Sequence, residues 1–213
     1  MTSRVDETLC ADISLFLGSS GSGKSHQIKQ SLQAFDRLMV FDPEYEYAQI
    51  GAQVVESIPA LIEYMKVNIG KEKVAFVANG QKAFDQFCTI AFNAAHARYP
   101  LCVAVDELAG VTTIGKAPPA WHTLVSRGRK YGIKIRAGAQ RPTEIDKTVI
   151  ANRTALWCGY MSRPADRRYI SDEIGIDLDL VNGLRGRPYF DAVIQSGHNP
   201  PAARIAKAPV KGM

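Results

Sequence analysis

Short apolar runs alternate with stretches of mixed polarity along most of the chain. Runs that are apolar at nearly every position are typical of strands buried on both faces of a parallel sheet. They predict strands at residues 13–17, 38–41, 73–78, 101–105 and 133–139, with another at 155–160 and a last strand or hairpin at 188–194. Between them, helical spacing of apolar residues predicts helices at residues 24–35, 58–69, 81–98, 119–130 and 164–174. This alternation indicates an α/β fold whose mainly parallel central sheet is flanked by helices on both faces.

Length and composition favour one globular unit. A chain of 213 residues with 46% hydrophobic and 22% charged residues suits a single α/β domain, which we expect at residues 1–195. Residues 196–213 contain prolines, glycines and only basic charges, so we expect an extended or disordered tail or an arm that docks on a neighbour or on DNA. Because no apolar run approaches about 18 residues, no membrane span is expected.

The overall charge leaves two interpretations open. A net charge of +5 and a pI of about 9.0 suit a polyanionic partner and an ordinary basic surface equally well. The four cysteines are scattered without the spacing of a zinc site, which favours reduced thiols.

A glycine-rich segment after the first predicted strand has the pattern of a phosphate-binding loop. It covers Gly18, Ser19, Ser20, Gly21, Ser22, Gly23, Lys24 and Ser25, and His26 follows it. Backbone N–H groups of such a loop surround phosphate oxygens, and the next helix adds the partial positive charge of its N-terminus. Lys24 is expected to reach the β- and γ-phosphates of ATP, and the Ser25 hydroxyl to ligate Mg²⁺.

Polar residues end two later strands. Asp106 and Glu107 follow the run at residues 101–105, and Gln140 follows the run at residues 133–139. Asp106 is expected to hold Mg²⁺ through water, and Glu107 to be the general base or to position the attacking water. Because carboxyl ends of parallel strands line one crevice, we expect Gln140 beside the loop, sensing the γ-phosphate or orienting water.

Five cations without an intervening acid lie between residues 127 and 136. They are Arg127, Arg129, Lys130, Lys134 and Arg136. One of the arginines is a candidate finger that neutralises charge in a neighbour's ATP site. Lys130, Lys134 and Arg136 are candidate contacts to DNA phosphates. A solvated helix end is the simpler interpretation of the cluster.

Taken in chain order, these motifs resemble the FtsK–HerA branch of P-loop motor ATPases. V-F-D-P-E-Y-E-Y at residues 40–47 is similar to that branch's second strand, which closes in Asp-Pro. A-V-D-E, R-G-R-K-Y-G-I and A-Q-R-P follow, and A-N-R-T-A-L-W-C-G-Y resembles the branch's C-terminal part. The resemblance covers residues 14–176. A chain this short resembles the genome-packaging ATPases of icosahedral double-stranded-DNA viruses with an internal membrane.

That resemblance implies a RecA-like P-loop NTPase core assembled as a ring, with a hexamer expected. ATP would lie between subunits and double-stranded DNA would pass through the centre. It implies an ATPase that moves DNA into a preformed capsid, at the packaging vertex of the virion and in the host cytoplasm, with capsid, vertex or membrane proteins as partners. Arg129 is slightly favoured over Arg127 as the finger supplied in trans, and Arg141 and Arg153 are further candidates.

Two alternatives stay open. A filamentous-phage assembly ATPase of the zonula-occludens-toxin type belongs to the same branch, but such proteins usually carry a membrane span. A nucleotide-dependent switch or small-molecule kinase would use the same loop. The sequence lacks the N-K-x-D motif of guanine-specific switches, and such kinases usually lack both the Asp-Glu pair and the Gln-Arg-Pro strand end.

Overall fold

The computed structural model describes residues 3–197 and 203–205, which contain one sheet of nine strands. The strands are β1 (Ile13–Leu17), β2 (Leu38–Phe41), β3 (Gln53–Val55), β4 (Lys73–Phe76), β5 (Leu101–Val105), β6 (Ile133–Ala139), β7 (Ala155–Gly159), β8 (Ala192–Ser196) and β9 (Ala203–Ile205). Their order across the sheet is β3-β4-β2-β5-β6-β1-β7-β8-β9. Strands β1 to β7 are parallel, whereas β8 is antiparallel to both of its neighbours. The predicted α/β fold with a mainly parallel sheet is therefore confirmed.

Helices cover both faces of this sheet. They are α1 (Lys24–Leu32), α2 (Ile58–Val67), α3 (Gln81–Ala94), α4 (Pro119–Arg127), α5 (Lys147–Asn152), α6 (Pro164–Ile174) and α7 (Leu178–Asn182). Buried residues of α1 pack into the smaller core, and those of α2 to α7 pack into the larger one. On β1, Leu15 and Leu17 face the larger core and Phe16 faces the smaller one. Burial on both faces explains why the strand is apolar throughout.

The predicted elements differ from the structure mainly at helix ends and in short segments. The helix predicted at residues 81–98 ends at Ala94, and the one predicted at 119–130 ends at Arg127, followed by a 3₁₀ turn at Gly128–Tyr131. The element predicted at residues 188–194 corresponds to β8, which begins at Ala192 because residues 188–191 belong to a turn. Strand β3 and helices α5 and α7 were not predicted. All three are shorter than the windows in which periodicity can be recognised.

Helix α5 is held by a buried cap that periodicity does not reveal. The Asp146 carboxylate is fully buried and accepts backbone N–H groups of Thr148 at 3.0 Å and Val149 at 3.2 Å. It also accepts the indole N–H of Trp121 at 3.0 Å, which joins α5 to α4. The stability of this short helix thus comes from capping and packing, not from its own length.

Part of the predicted tail lies in the sheet. Ala203–Ile205 form β9, which pairs with residues 192–194 of β8. Residues 198–202 and 206–213 lie outside the described part of the chain. Over the described ranges, no helix is both long enough and apolar enough to span a bilayer.

The carboxyl ends of four parallel strands lie at one edge of the sheet, and each is followed by a glycine or a polar residue. Gly18 follows β1, Asp42 follows β2, Asp106 follows β5 and Gln140 follows β6. Because β2, β5, β6 and β1 are successive neighbours, these four positions form a continuous row.

An aromatic cluster under this row anchors β2 to α3. The Phe41 ring lies 5.2 Å from the Phe84 ring and 5.5 Å from the Phe87 ring, measured between centroids, and all three are fully buried. Edge-to-face geometry adds to the stabilisation from burial.

Replacing Phe87 tests the contribution of this cluster. Phe87→Ala is expected to lower the free energy of unfolding by about 3–5 kcal/mol, because it removes a buried ring and leaves a cavity. Ile69→Ala is the control, since Ile69 is 80% exposed and should change stability by no more than about 0.5 kcal/mol. Denaturant titration measures both. Similar losses in the two variants would contradict the packing described.

Candidate nucleotide site

The glycine-rich loop is tied to the two strands beside β1. The N–H of Gly18 donates to the Ala139 carbonyl at 3.2 Å, and the N–H of Ser19 donates to the Tyr160 carbonyl at 2.9 Å. Gly23 begins α1 with φ of +92°, a left-handed conformation that favours glycine. The loop therefore wraps back on itself and leads directly into a helix N-terminus, which is the geometry of an anion site.

Lys24 connects this loop to the end of β5. Its ammonium donates to the Asp106 carbonyl at 2.9 Å and to Asp106 Oδ1 at 2.5 Å. It also lies 3.9 Å from Glu107 Oε2. The backbone is equally close here: a Cβ at Gly138 of β6 would lie 2.4 Å from the Asp106 carbonyl oxygen. No side chain other than hydrogen fits at that position.

Glu107 is held by backbone donors from two segments. The N–H of Gln140 donates to Glu107 Oε2 at 3.1 Å, and the N–H of Ala109 donates to Oε1 at 3.3 Å. Burial raises the pKa of Glu107 above its ordinary value, although the positive charge of Lys24 and these two donors oppose the shift. A carboxylate with a raised pKa is a stronger proton acceptor, which suits a general base. The predicted neighbours Glu107 and Gln140 therefore lie together.

Asp106 has a second partner that the sequence did not reveal. The buried Tyr47 hydroxyl donates to Asp106 Oδ2 at 2.9 Å. Asp42, itself buried, accepts the backbone N–H groups of Glu46 at 2.9 Å and Tyr47 at 2.8 Å, and so fixes the turn that carries this tyrosine. Burial raises the pKa of Tyr47, so the phenol stays a donor. Tyr47 thus orients Asp106. In the sequence, the only indication of this role is that Tyr47 lies five positions after Asp42.

A small cavity at this end of the site is rich in carboxylates. It measures about 120 Å³, and it is lined by Lys24, Ser25, Asp42, Pro43, Glu44, Glu46, Asp106, Glu107 and Gln140. Mg²⁺ prefers oxygen ligands and keeps several waters. The Ser25 hydroxyl and the Asp106 carboxylate fit such an ion, and the volume leaves room for its water ligands. Lys24 already pairs with Asp106 and Glu107, and a bound cation would further offset the repulsion between these carboxylates and a phosphate.

A larger cavity opens along the loop itself. It measures about 450 Å³ and is lined by Ser19, Ser20, Gly21, Gly23, Lys24, Ser25, His26, Glu46, Gln140, Arg187 and Phe190. Gly18 and Ser22 of the predicted nucleotide-binding segment are buried behind the loop. Arg187 and Phe190 were not predicted, because they lie in a turn far along the chain that carries no recognisable motif.

The basic cluster lies at the opposite edge of the sheet. Arg127, Arg129 and Lys130 precede β6, and Lys134 and Arg136 lie in its first half. The Arg129 guanidinium donates to the Glu7 carbonyl at 2.8 Å and lies 3.6 Å from the Glu7 carboxylate, and Lys130 lies 3.3 Å from the same carboxylate. Arg127 is exposed, and within residues 3–197 and 203–205 its side chain makes no hydrogen bond or ion pair. These contacts do not support the preference for Arg129 over Arg127 as the finger.

The assignment of Arg136 as a DNA contact requires correction. Its guanidinium is buried, lies 2.7 Å from Asp12 Oδ1 and covers the Phe35 ring at 4.9 Å. Lys134 lies 3.8 Å from the same aspartate. Two acids from the N-terminal segment, Glu7 and Asp12, therefore form ion pairs with four cations that have no acid near them in sequence.

Comparison with known proteins gives one clear relative. Protein P9 of Pseudoalteromonas phage PM2 is 31% identical over 187 residues, which cover 87% of this chain and 85% of that protein. The chain belongs to the P9 family. No protein-family model matches this P9-family chain.

Solved structures extend the comparison to the fold. The genome-packaging NTPase B204 of Sulfolobus turreted icosahedral virus 2, in complex with ATP-γ-S, matches with a TM-score of 0.73 at 17% identity, covering 93% of this chain and 98% of B204. EssC (ATPases 2 and 3) of Geobacillus thermodenitrificans matches with a TM-score of 0.56 at 14% identity, covering 94% of this chain and 40% of EssC. The P9-family chain therefore has a P-loop NTPase fold, which confirms the fold that the sequence predicts.

Glu107→Gln separates nucleotide binding from hydrolysis. The amide keeps the size of the side chain but cannot accept a proton, so we expect ATP affinity to stay within about threefold while turnover falls by at least about 100-fold. Isothermal titration with ATP and a phosphate-release assay measure the two quantities. Weak binding with normal turnover would contradict the role of Glu107.

The same variant has a predictable effect on stability. Because the folded protein raises the pKa of Glu107, ionising it at neutral pH costs stability relative to the unfolded chain. Glu107→Gln should therefore have an equal or higher unfolding midpoint than the parent at pH 7.5. The difference should vanish below the ordinary carboxyl pKa, where Glu107 is protonated in both states. A gap that widens towards acid pH would contradict this assignment.

Proposed function

We propose that this P9-family chain is a viral genome-packaging ATPase that couples ATP hydrolysis to the translocation of double-stranded DNA into a preformed capsid. The observation that carries the proposal is that Lys24, Asp106, Glu107 and Gln140 lie together beside the phosphate loop, in a chain that matches a genome-packaging NTPase over almost its whole length. The phage origin of Protein P9 supports a viral setting. In this proposal the protein works at the packaging vertex and in the host cytoplasm, and capsid, vertex or membrane proteins dock it there.

Hydrolysis proceeds by in-line attack of water on the γ-phosphorus. Glu107 accepts a proton from the attacking water, the new P–O bond forms, and the bond to the β–γ bridging oxygen breaks to release ADP. The Gln140 backbone holds the Glu107 carboxylate by the 3.1 Å contact, and its side chain orients the water. Lys24 offsets the charge on the β- and γ-phosphates.

Ser25 and, through water, Asp106 would hold the Mg²⁺ ion, and Tyr47 keeps Asp106 in orientation through the 2.9 Å hydrogen bond. When bound, the ion neutralises phosphate charge that the surrounding carboxylates would otherwise repel.

The active site is completed in a ring, proposed as a hexamer, by an arginine from the neighbouring subunit. Arg127 is the better candidate because it is exposed and uncommitted in the described part of the chain, whereas Arg129 already binds Glu7 and Leu9. Of the predicted DNA contacts, Lys130 and Lys134 are only partly buried, so their ion pairs with Glu7 and Asp12 can exchange with phosphate.

DNA dependence tests the proposed function. ATPase activity is expected to rise several-fold with double-stranded DNA, with the stimulation falling steeply as salt increases, because phosphate contacts release counterions. Light scattering in the presence of ATP should report a ring mass, with a hexamer expected. A monomer whose turnover ignores DNA would refute the motor function while leaving the NTPase assignment intact.

Mixed rings test the finger. Arg127→Ala alone is expected to reduce turnover about 1000-fold, as removal of a finger does, whereas Arg129→Ala should retain most of it. Mixing Arg127→Ala with Glu107→Gln subunits should restore part of the activity, because some interfaces then combine an intact Glu107 with an intact Arg127. Confirmed mixed rings that stay inactive, or a loss confined to Arg129→Ala, would contradict this choice.

A further inference from the structure

A tight turn between α7 and β8 packs against the phosphate loop. Arg185 and Asp191 close it: the Arg185 Nε donates to Asp191 Oδ2 at 2.8 Å, and the N–H of Asp191 donates to the Arg185 carbonyl at 2.8 Å. Arg185 also covers the Tyr189 ring at 4.0 Å. Because Asp191 is fully buried, this pair fixes the ends of the turn and hence the direction of the residues between them.

The turn contacts the loop at two points. The N–H of Arg187 donates to the Gly21 carbonyl at 3.1 Å, and the Phe190 ring would lie 3.1 Å from a Cβ placed on Gly23. Phe190 has φ of +54°, a left-handed conformation that is rare for a bulky residue. Such a conformation persists only where the surrounding structure holds it, and it is found more often at functional sites.

The two cavities indicate how a bound nucleotide is oriented in the site. Asp106 and Glu107 line the 120 Å³ cavity, where the γ-phosphate must lie for hydrolysis. Arg187 and Phe190 line the 450 Å³ cavity and not the smaller one. A nucleotide that lies along the loop with its γ-phosphate at Glu107 therefore extends its nucleoside towards these two side chains. The larger volume is in the range of small-ligand sites.

The two side chains have the chemistry to hold a base. Phe190 is partly exposed and Arg187 is exposed, and the Arg187 guanidinium makes no hydrogen bond or ion pair with any residue that the structure describes. Aromatic rings and guanidinium planes stack on nucleobases of any sequence. We infer that the turn at residues 185–191 is the nucleoside-binding end of the ATP site, with Phe190 and Arg187 contacting base and ribose.

This inference rests on the proposed ATPase function only in taking a nucleoside triphosphate as the ligand, and it does not depend on DNA translocation. Stacking reads no hydrogen-bonding pattern on the base. The site is therefore expected to bind ATP and GTP with similar affinity.

Tripolyphosphate is the probe that isolates the nucleoside. Phe190→Ala and Arg187→Ala are expected to weaken ATP binding about tenfold each, the loss typical of one stacking contact. Both variants should bind inorganic tripolyphosphate, which has no base or ribose, as tightly as the parent protein. Isothermal titration of the full chain with each ligand gives the two dissociation constants.

Arg168→Ala is the matched control, because Arg168 is an exposed arginine of α6 outside both cavities. It should leave both dissociation constants unchanged. Arg187→Lys should recover little of the lost ATP affinity, since an ammonium keeps the charge but cannot stack as a plane.

Two outcomes would overturn the inference. Parallel losses for ATP and tripolyphosphate would mean that the turn acts on the phosphates or on the shape of the loop. Unchanged ATP affinity in both variants would mean that the nucleoside lies elsewhere. If Phe190→Ala does not fold, Arg187→Ala still tests the inference, because Arg187 is exposed and its replacement should not disturb folding. A protein whose turnover does not respond to DNA would still show the same ratio of ATP affinity to tripolyphosphate affinity. Failure of the motor proposal can therefore be distinguished from failure of this inference.

Discussion

The contact between Lys24 and Asp106 is the interaction on which the rest of the site depends. It joins the phosphate loop to a strand that is not its neighbour, since β6 lies between β1 and β5. The ammonium bonds to both the backbone and the carboxylate of one residue. This contact therefore fixes both the position of the Asp106 backbone and the charge around its carboxylate. It also fixes the position of Glu107, which is the next residue along the chain.

Much of the fold and of this central site can be predicted from sequence. The strands that carry Gly18, Asp106 and Gln140 are apolar throughout, and such strands have one physical explanation, burial on both faces. Once the strands are taken as parallel, their carboxyl ends must meet at one edge, so proximity of the three residues follows from topology. The bounds of β1, β2, β5 and β6 were predicted correctly for the same reason.

Contacts between segments distant in sequence could not be predicted. The cluster around Arg129 and Arg136 looks uncompensated along the chain, yet Glu7 and Asp12, more than 100 residues away, form ion pairs with four of its five cations. Tyr47 and Phe190 were missed because each acts through a turn whose position is decided by tertiary packing. A charge count along the sequence cannot distinguish a free cation from one paired across the fold.

The close approach of Gly138 to Asp106 has a mechanical consequence. Since even a Cβ would lie 2.4 Å from the Asp106 carbonyl oxygen, the backbones of β5 and β6 pack directly against each other here, with no side chain between them. That same oxygen accepts the Lys24 ammonium. A displacement of Lys24 therefore moves the ends of β5 and β6 together. No side chain lies between the two strands at this point to absorb the movement by rearranging.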